Sequence, residues 1–241
     1  MQQAKEEYFH HPRPPSFSSQ SIEAVIFDLD GVLLDNARIY FEAAEYALSK
    51  ASVEDPDRAS LMRFVRGLEL GKKSTFVLDS NRRRELFLSN YGRVWNRLCP
   101  EKSSVIPSAM QTLRALKEAE ISTAIVTARQ MRLSQIKTQL EQLGLRAFFD
   151  VVIPRERVRK VKPFPDQLLA ASFELDLPAC RCVAVGDTPL DIIAARNAGM
   201  HSIAVRSGIY APFQLLRERP TELLHSVGEL GFLFQSVYSR V

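Results

Sequence analysis

The sequence contains few cysteines and no marked excess of charge of one sign. Its three cysteines, Cys99, Cys180 and Cys182, form neither a CxxC pair nor an even set. This pattern is typical of reduced thiols in a cytoplasmic protein. Because Cys180 and Cys182 have no further Cys or His nearby, they make a poor zinc site. We therefore expect neither a disulfide framework nor a structural zinc ion.

Long apolar runs are also missing. No stretch approaches the roughly 20 residues that a membrane-spanning helix needs, and residues 1–21, which we expect to form a flexible tail, lack a hydrophobic signal-peptide core. The 32 Lys and Arg residues are scattered among 28 Asp and Glu residues, with a formal net charge of +4. Proteins that bind nucleic acid usually concentrate basic residues on one stripe. We expect a soluble cytoplasmic protein that binds neither membranes nor nucleic acid.

Five short β-rich segments alternate with helical patterns. The predicted strands cover residues 22–27, 121–126, 148–153, 180–185 and 201–205. Their near-continuous apolar runs are typical of strands buried on both faces of a parallel sheet. The predicted helices that follow cover residues 108–120, 131–144, 165–177 and 189–199. This alternation favours right-handed βαβ crossovers, and it predicts an α/β fold with a doubly wound parallel sheet.

Residues 37–104 interrupt the alternation. They contain helical stretches at 38–51 and 81–98 but no convincing strand, and they separate the first strand from the rest of the sheet. An inserted α-helical subdomain explains this most simply. The predicted organisation is a core over residues 22–36 and 105–241, with the helical insertion over 37–104.

Polar residues follow four of the five predicted strands. In strand order they are Asp28 and Asp30, then Thr127, then Lys162, then Asp187 and Asp191. Ligands of open parallel sheets bind outside the carboxyl ends of the strands. We therefore expect these side chains to form one site.

A divalent cation would stabilise such a cluster of carboxylates. Two carboxylates about 4 Å apart repel each other by roughly 4 kcal/mol at an effective dielectric constant of about 20. An oxygen-only site with few protein ligands suits Mg²⁺, which also binds substrate phosphate. Lys162 would add a fixed positive charge, Thr127 a hydroxyl donor, and the turn at Asp30 and Gly31 backbone amides. The pattern predicts a site for Mg²⁺ and a phosphoryl group.

Four motifs in this order are similar to those of a known family. They are "DLDGVLLD", the threonine that ends the second strand, "KPFPD" and "VGDTPLDIIAARNAG". Over roughly residues 22–230 the chain resembles the haloacid dehalogenase-like hydrolases, most closely the phosphoglycolate phosphatase and β-phosphoglucomutase branch. That branch inserts a helical cap after its first motif, where residues 37–104 fall. The resemblance implies a Rossmann-like core and a Mg²⁺-dependent phosphatase that acts on a small phosphorylated metabolite. We expect it to act as a monomer or homodimer.

The resemblance also implies the chemical roles of the first two aspartates. Asp28 would be the nucleophile that forms an aspartyl phosphate. Asp30 would protonate the leaving oxygen and then activate water. Dehalogenases of the family lack an aspartate at the position of Asp30, so its presence favours phosphate chemistry. The third aspartate of the motif, Asp35, is expected to mark the exit into the cap.

The metal and the phosphoryl oxygens would be bound by residues of all four motifs. Mg²⁺ would be held by Asp28, the Asp30 carbonyl and Asp187, with Asp191 in the outer shell or in contact with Lys162. The alternative for Asp191 is that it is simply an acidic residue that stabilises the start of a helix. The residues expected to contact substrate are Gly31, Thr127, Ala128, Arg129 and Lys162 in the core and Arg66 and Lys72 in the cap. For Arg129 a surface arginine, and for the cap residues a solvated turn, are equally good interpretations.

Two alternative functions stay open. β-Phosphoglucomutases typically have a threonine and a histidine where this chain has Asn36 and Tyr40. This departure favours hydrolysis over a sugar phosphomutase. From a different class, the chain could be a catalytically idle member that binds a phosphometabolite or a partner protein through the same pocket.

Overall fold

The computed structural model describes residues 22–52, 58–69, 80–231 and 233–234. The chain forms two compact units. It passes from the first to the second between Leu34 and Asp35 and returns between Ser104 and Val105. We call the unit that contains the large sheet the core unit, and the unit formed by residues 35–104 the helical unit.

The core unit is built on a six-stranded sheet. In chain order the strands are β1 (Ala24–Asp28), β2 (Leu34–Asp35), β3 (Ser104–Val105), β4 (Ser122–Thr127), β5 (Val151–Pro154), β6 (Cys182–Gly186), β7 (His201–Val205) and β8 (Glu222–Leu224). The sheet order is β5-β4-β1-β6-β7-β8, and all neighbours are parallel. Strands β2 and β3 form a separate two-stranded sheet. The chain thus adds strands on one side of β1 and then, from β6 onward, on the other side.

Eight helices accompany these strands in the described part of the chain. They are α1 (Ala37–Lys50), α2 (Arg58–Glu69), α3 (Asn81–Lys102), α4 (Ala109–Glu118), α5 (Leu133–Gln142), α6 (Asp166–Glu174), α7 (Pro189–Ala198) and α8 (Pro212–Leu216). None of these described helices is long and apolar enough to span a bilayer.

Alternate residues of β1 pack into two different layers. Val25 and Phe27 join an apolar cluster with residues of α4 and α5, whereas Ala24 and Ile26 pack with residues of α6 and α7. Because successive side chains of a strand point to opposite faces, helices cover both faces of the sheet. The predicted doubly wound α/β fold is confirmed.

The strand limits differ locally from the prediction. Residues 146–148 and 179–181 form 3₁₀ turns, so the strands predicted to begin at residues 148 and 180 begin at Val151 and Cys182. The short strands β2, β3 and β8 were not predicted. All three cysteines are free, and Cys180 is exposed.

The helical unit has its own apolar core. Residues of α1 and α3 form a buried cluster around Ile39, Val94 and Leu98. Trp95 belongs to this cluster, and its ring centroid lies 4.4 Å from that of Tyr40. Helices α1 and α3 of the helical unit therefore pack together through apolar and aromatic contacts.

Candidate active site

The first two aspartates lie at the carboxyl end of β1. Asp28 is the last residue of the strand and is 7% exposed. Gly31 follows with a φ of +76°, and its amide donates a hydrogen bond of 2.8 Å to the Leu34 carbonyl. In this structure the turn itself uses the Gly31 amide, and the expected contact of Gly31 with a phosphoryl group stays a prediction. A Cβ at Gly31 would collide with the carboxylate of Asp187.

Lys162 bridges two of the predicted carboxylates. Its Nζ lies 2.7 Å from Oδ1 of Asp28 and 2.5 Å from Oδ1 of Asp191, and its side chain is 8% exposed. Burial disfavours the ammonium, but the carboxylates of Asp191 and Asp28 outweigh it and raise the pKa of Lys162 above its ordinary range. Asn197 of α7 donates a hydrogen bond of 2.9 Å to the Pro163 carbonyl, which ties the Lys162 loop to that helix.

The environment of Asp28 favours its protonated form more than water does. Burial raises the pKa of Asp28 to about 7, and Lys162 opposes this rise while Asp191 and Asp30 add to it. A second cation near Asp28 would lower that pKa and keep the carboxylate ionised. The group is thus poised to accept a divalent cation.

Asp191 contacts Lys162 and also lies in the first turn of α7. Its Oδ1 accepts a hydrogen bond from Lys162. Its Oδ2 accepts hydrogen bonds from the Thr188 amide at 3.0 Å and the Thr188 hydroxyl at 2.7 Å, while the Thr188 hydroxyl accepts from the Asp191 amide at 3.3 Å. This capping box begins α7 directly after Asp187.

Three carboxylates are placed to hold a metal ion. One oxygen from each of Asp28, Asp187 and Asp191 lies within 4.8 Å of the others, and all three residues are buried. The donors are all hard oxygen atoms, which is the chemistry that Mg²⁺ prefers. Gly31 and Gly208 leave room for the Asp187 carboxylate, because a Cβ at either position would overlap it. The residues present therefore fit a small divalent cation.

Arg129 binds the carboxylate of Asp30 through two parallel contacts. Its Nε lies 2.8 Å from Oδ2 of Asp30, and its Nη2 lies 2.5 Å from Oδ1. Its Nη1 donates a hydrogen bond of 2.5 Å to Oε1 of the buried Gln139 on α5. The Arg129 side chain is only 2% exposed, so its interpretation as a surface arginine is wrong. No local sequence pattern indicates that the partner of Arg129 is Asp30.

Thr127 is buried at the end of β4, beside Arg129. Its hydroxyl oxygen accepts a hydrogen bond of 3.3 Å from the Arg129 amide. Its carbonyl accepts a hydrogen bond of 2.8 Å from Gln167, which also donates to Ile153. These contacts fix the backbone at the strand end. The next residue, Ala128, is exposed.

The fifth predicted strand also contributes to the site, which the sequence interpretation missed. The Ser207 hydroxyl donates a hydrogen bond of 2.6 Å to the Gly31 carbonyl. A Cβ at Gly208 would collide with Asp187. Ser207 and Gly208 closely follow residues 201–205, as the other site residues follow the other four predicted strands, so their position in the sequence indicates this role.

The two expected substrate contacts in the cap are not part of the geometry described above. Arg66 is half-buried in the last turn of α2, within the helical unit. Lys72 lies outside the described residues. Their roles stay predictions.

Comparisons with known proteins show which family this chain resembles. Residues 25–205 match the model of the family described as haloacid dehalogenase-like hydrolase. A phosphoglycolate phosphatase from Neisseria meningitidis is 30% identical over 223 residues, which cover 88% of this chain and 93% of that protein. The pyrophosphatase PpaX of Bacillus cereus is 28% identical over 210 residues, with 87% and 94% covered.

A solved structure supports the fold. The haloacid dehalogenase-like family protein from Streptococcus pneumoniae aligns with a TM-score of 0.74 and 22% identity, and the alignment covers 89% of this chain and 99% of that one. The family match itself runs from β1 to the end of β7 and includes every carboxylate of the site. On that ground, the chain belongs to the haloacid dehalogenase-like hydrolase family.

Proposed function

We propose that this hydrolase is a Mg²⁺-dependent phosphatase that acts on a small phosphorylated metabolite through an aspartyl phosphate at Asp28. The observation that supports this most strongly is the position of the Asp28 carboxylate. It lies at the end of β1, 2.7 Å from Lys162 and within 4.8 Å of an oxygen from each of Asp187 and Asp191. This arrangement surrounds one nucleophile with a fixed cation and a candidate metal site.

The first step transfers the phosphoryl group to the enzyme. A carboxylate oxygen of Asp28 attacks phosphorus, and the bond from phosphorus to the ester oxygen breaks. The ester oxygen takes a proton from the Asp30 carboxyl group and leaves as an alcohol. The products of this step are the aspartyl phosphate and the ionised Asp30 carboxylate.

The second step restores the enzyme. A water molecule attacks phosphorus, and the bond from phosphorus to the Asp28 oxygen breaks. Asp30 accepts the proton that the water loses, which returns it to its protonated form. Inorganic phosphate leaves, and the Asp28 carboxylate is regenerated.

Other side chains bind and neutralise the phosphoryl oxygens. Lys162 supplies a charged donor next to Asp28, and the hydroxyl of Thr127 supplies a neutral donor. Mg²⁺ would be held by Asp28, the Asp30 carbonyl and Asp187, with Asp191 bound to Lys162 beside it. When bound, it would offset the negative charge of the carboxylates and of the phosphoryl group.

The named relatives support a small phosphorylated substrate. One is named a phosphoglycolate phosphatase and the other a pyrophosphatase. Both names refer to substrates that are small phosphate compounds. The free cysteines are compatible with a reducing compartment. We include a cytoplasmic location in the proposal.

The test is phosphate release from 4-nitrophenyl phosphate and from a panel of phosphorylated metabolites. Release should require Mg²⁺ and stop on chelation. Asp28→Asn should abolish turnover and leave the circular dichroism spectrum unchanged. Asp35→Asn is the matched control, because Asp35 is exposed and its carboxylate accepts a hydrogen bond of 3.0 Å from the nearby Ala37 amide and is not one of the three carboxylates placed to hold a metal ion. It should retain activity within about twofold.

Two results would count against the proposal. A wild-type protein that binds Mg²⁺ yet releases no phosphate from any compound would be an idle member of the family. Conversion of β-glucose 1-phosphate to glucose 6-phosphate with a bisphosphate activator, without free glucose, would identify a phosphomutase.

A further inference from the structure

A cavity of about 530 Å³ lies in the core unit, on the side of the site where Arg129 is found. Four arginines line it, namely Arg129, Arg132, Arg155 and Arg159. Glu156 also lines it, and its Oε1 accepts a hydrogen bond of 2.9 Å from the Leu133 amide at the start of α5. The arginines outnumber the acidic side chain, so the cavity has a positive charge that suits an anion.

Three of these arginines are free to bind a ligand. Arg132, Arg155 and Arg159 are exposed and form no ion pair with any part of the chain that the structure describes. The neighbouring Arg157 differs from them, because it pairs with Glu174 at 2.7 Å and does not line the cavity.

Arg129 connects the cavity to the proposed general acid. Its guanidinium occupies both carboxylate oxygens of Asp30, at 2.8 Å and 2.5 Å. A carboxyl group whose two oxygens both accept hydrogen bonds from an arginine cannot direct a proton at a leaving oxygen. At least one of these contacts has to break before Asp30 can donate a proton.

We propose that the cavity binds a second anionic group, a carboxylate or a phosphate, on the leaving part of the substrate, and that Arg129 transfers its contacts from Asp30 to that group. The proposal rests on the function proposed above. The exchange replaces one charge-assisted pair with another, so it costs little. A neutral leaving part offers no such replacement, and Asp30 stays bound to Arg129.

Gln139 anchors the guanidinium of Arg129, which contacts Asp30 and whose residue lines the cavity. Its Oε1 binds Nη1 of Arg129, the nitrogen that does not contact Asp30. The anchor lets the other two donors change partner while the side chain stays at the cavity wall. Arg129 is thus a specificity-determining residue, and it is also a positioning residue for Asp30.

Three two-carbon phosphate esters test the proposal, since they differ mainly in the group at the far end. They are 2-hydroxyethyl phosphate, which is neutral there, phosphoglycolate, which has a carboxylate, and ethylene glycol bisphosphate, which has a phosphate. In the wild type, kcat/KM for at least one anionic ester should exceed that for the neutral ester about tenfold or more, as expected for one charge-assisted hydrogen bond. The ester that gains more identifies the preferred anion.

Arg129→Gln and Arg159→Gln should change this preference in different ways. Arg129→Gln should bring the kcat/KM values of the anionic and neutral esters within about threefold of each other, because the guanidinium that exchanges Asp30 for the anionic group is gone. Arg159→Gln should lower only the kcat/KM values of the anionic esters, by about tenfold. The control Arg157→Gln should leave all three values within about twofold.

Equal kcat/KM values for the three esters in the wild type would overturn the proposal. So would a uniform loss on all three in Arg129→Gln, which is the mark of a purely structural arginine. If the wild type released no phosphate from any ester or from 4-nitrophenyl phosphate, the proposed function would fail instead. Calorimetric titration with phosphoglycolate would then test anion binding by the cavity independently of turnover. A Kd about tenfold weaker in Arg159→Gln than in the wild type would support anion binding there, and an equal Kd would refute it.

Discussion

Asp28 and Asp30 are two residues apart in the chain, yet they contact basic side chains from different parts of the fold. Asp28 contacts Lys162 in the loop before α6, and Asp30 contacts Arg129 after β4. The turn at Gly31, with its φ of +76°, lets the chain leave the strand at this point. As a result, one carboxylate lies in the candidate metal site and the other is bound beside it.

Replacing Lys162 tests the buried ion pairs. In Lys162→Met, the carboxylates of Asp28 and Asp191 lose the cation that both contact. Without Mg²⁺, we expect the free energy of unfolding at pH 8 to fall by about 3 kcal/mol, as for other buried pairs with one partner removed. Urea denaturation measures this change, and with Mg²⁺ turnover should fall at least about 100-fold.

Lys160→Met is the control for this prediction. Lys160 is exposed and lies over the Phe164 ring at 4.4 Å, a contact worth about 0.5–1 kcal/mol at the surface. If Lys160→Met lost as much turnover as Lys162→Met, the assignment of the phosphate-binding lysine would be wrong.

At the residue scale, the sequence predicts which site residues lie near strand ends, but it does not predict all of the residues that they contact. Thr127 and Asp187 could be located because each closely follows an apolar run, and Lys162 because it begins the motif "KPFPD" after the loop that follows the third run. The pairing of Arg129 with Asp30 could not, because it depends on a contact between residues 99 positions apart. Gln139 on α5 completes that contact, and no local pattern indicates it.

At the element scale, the start of α7 places Asp191 next to Lys162. Thr188 has extended backbone, and its hydroxyl accepts a hydrogen bond from the Asp191 amide. Pro189 occupies the first turn of the helix, where its missing amide hydrogen costs nothing. The helix ends at Gly199, which has a φ of +71°. Both ends could be predicted, since "TPLD" and "NAG" are typical helix boundaries.

Removal of the N-cap side chain of α7 tests how the start of this helix is stabilised. Thr188→Ala should lower the free energy of unfolding by about 1 kcal/mol, because the Asp191 amide and carboxylate both lose a partner. Ser134→Ala on α5 is the control, since Ser134 is exposed, and its effect should stay within about 0.5 kcal/mol. Equal effects of the two substitutions in urea denaturation would contradict the capping role.

Some elements could not be predicted, for physical reasons. Strand β8 has only three residues, and none of them is fully buried, so its sequence lacks a continuous apolar run. Strands β2 and β3 have two residues each. The 3₁₀ turn at 146–148 precedes β5 and contains Phe148, an aromatic residue that favours strands in a sequence pattern.

At the scale of the whole molecule, the chain combines a covered parallel sheet with a separate helical unit. The sheet order places β1 between β4 and β6, where the direction of strand addition reverses. Ligands of doubly wound sheets bind at such a reversal. The candidate site lies there because the topology brings the ends of β1, β4 and β6 together, which the sequence allowed us to expect from the alternation of strands and helices.

Metal binding should stabilise the whole fold. Mg²⁺ at about 100 times its Kd would add about 2.7 kcal/mol to the free energy of unfolding. For a chain of this length, that should raise Tm by about 5–11 °C. Asp187→Asn should lose this dependence, because it removes one of the three candidate ligands. Asp35→Asn should keep it. Scanning calorimetry with and without chelator measures the shift, and an equal shift in Asp187→Asn and the wild type would exclude Asp187 as a ligand.

The formation of an aspartyl phosphate at Asp28 is the central claim. It can be measured by acid quench of the wild type during turnover, followed by mass spectrometry of the peptides. The account predicts a phosphate on Asp28 that appears within the first turnover and is removed by hydroxylamine. Steady turnover with phosphate on a different residue, or with none on Asp28 at any quench time, would contradict it.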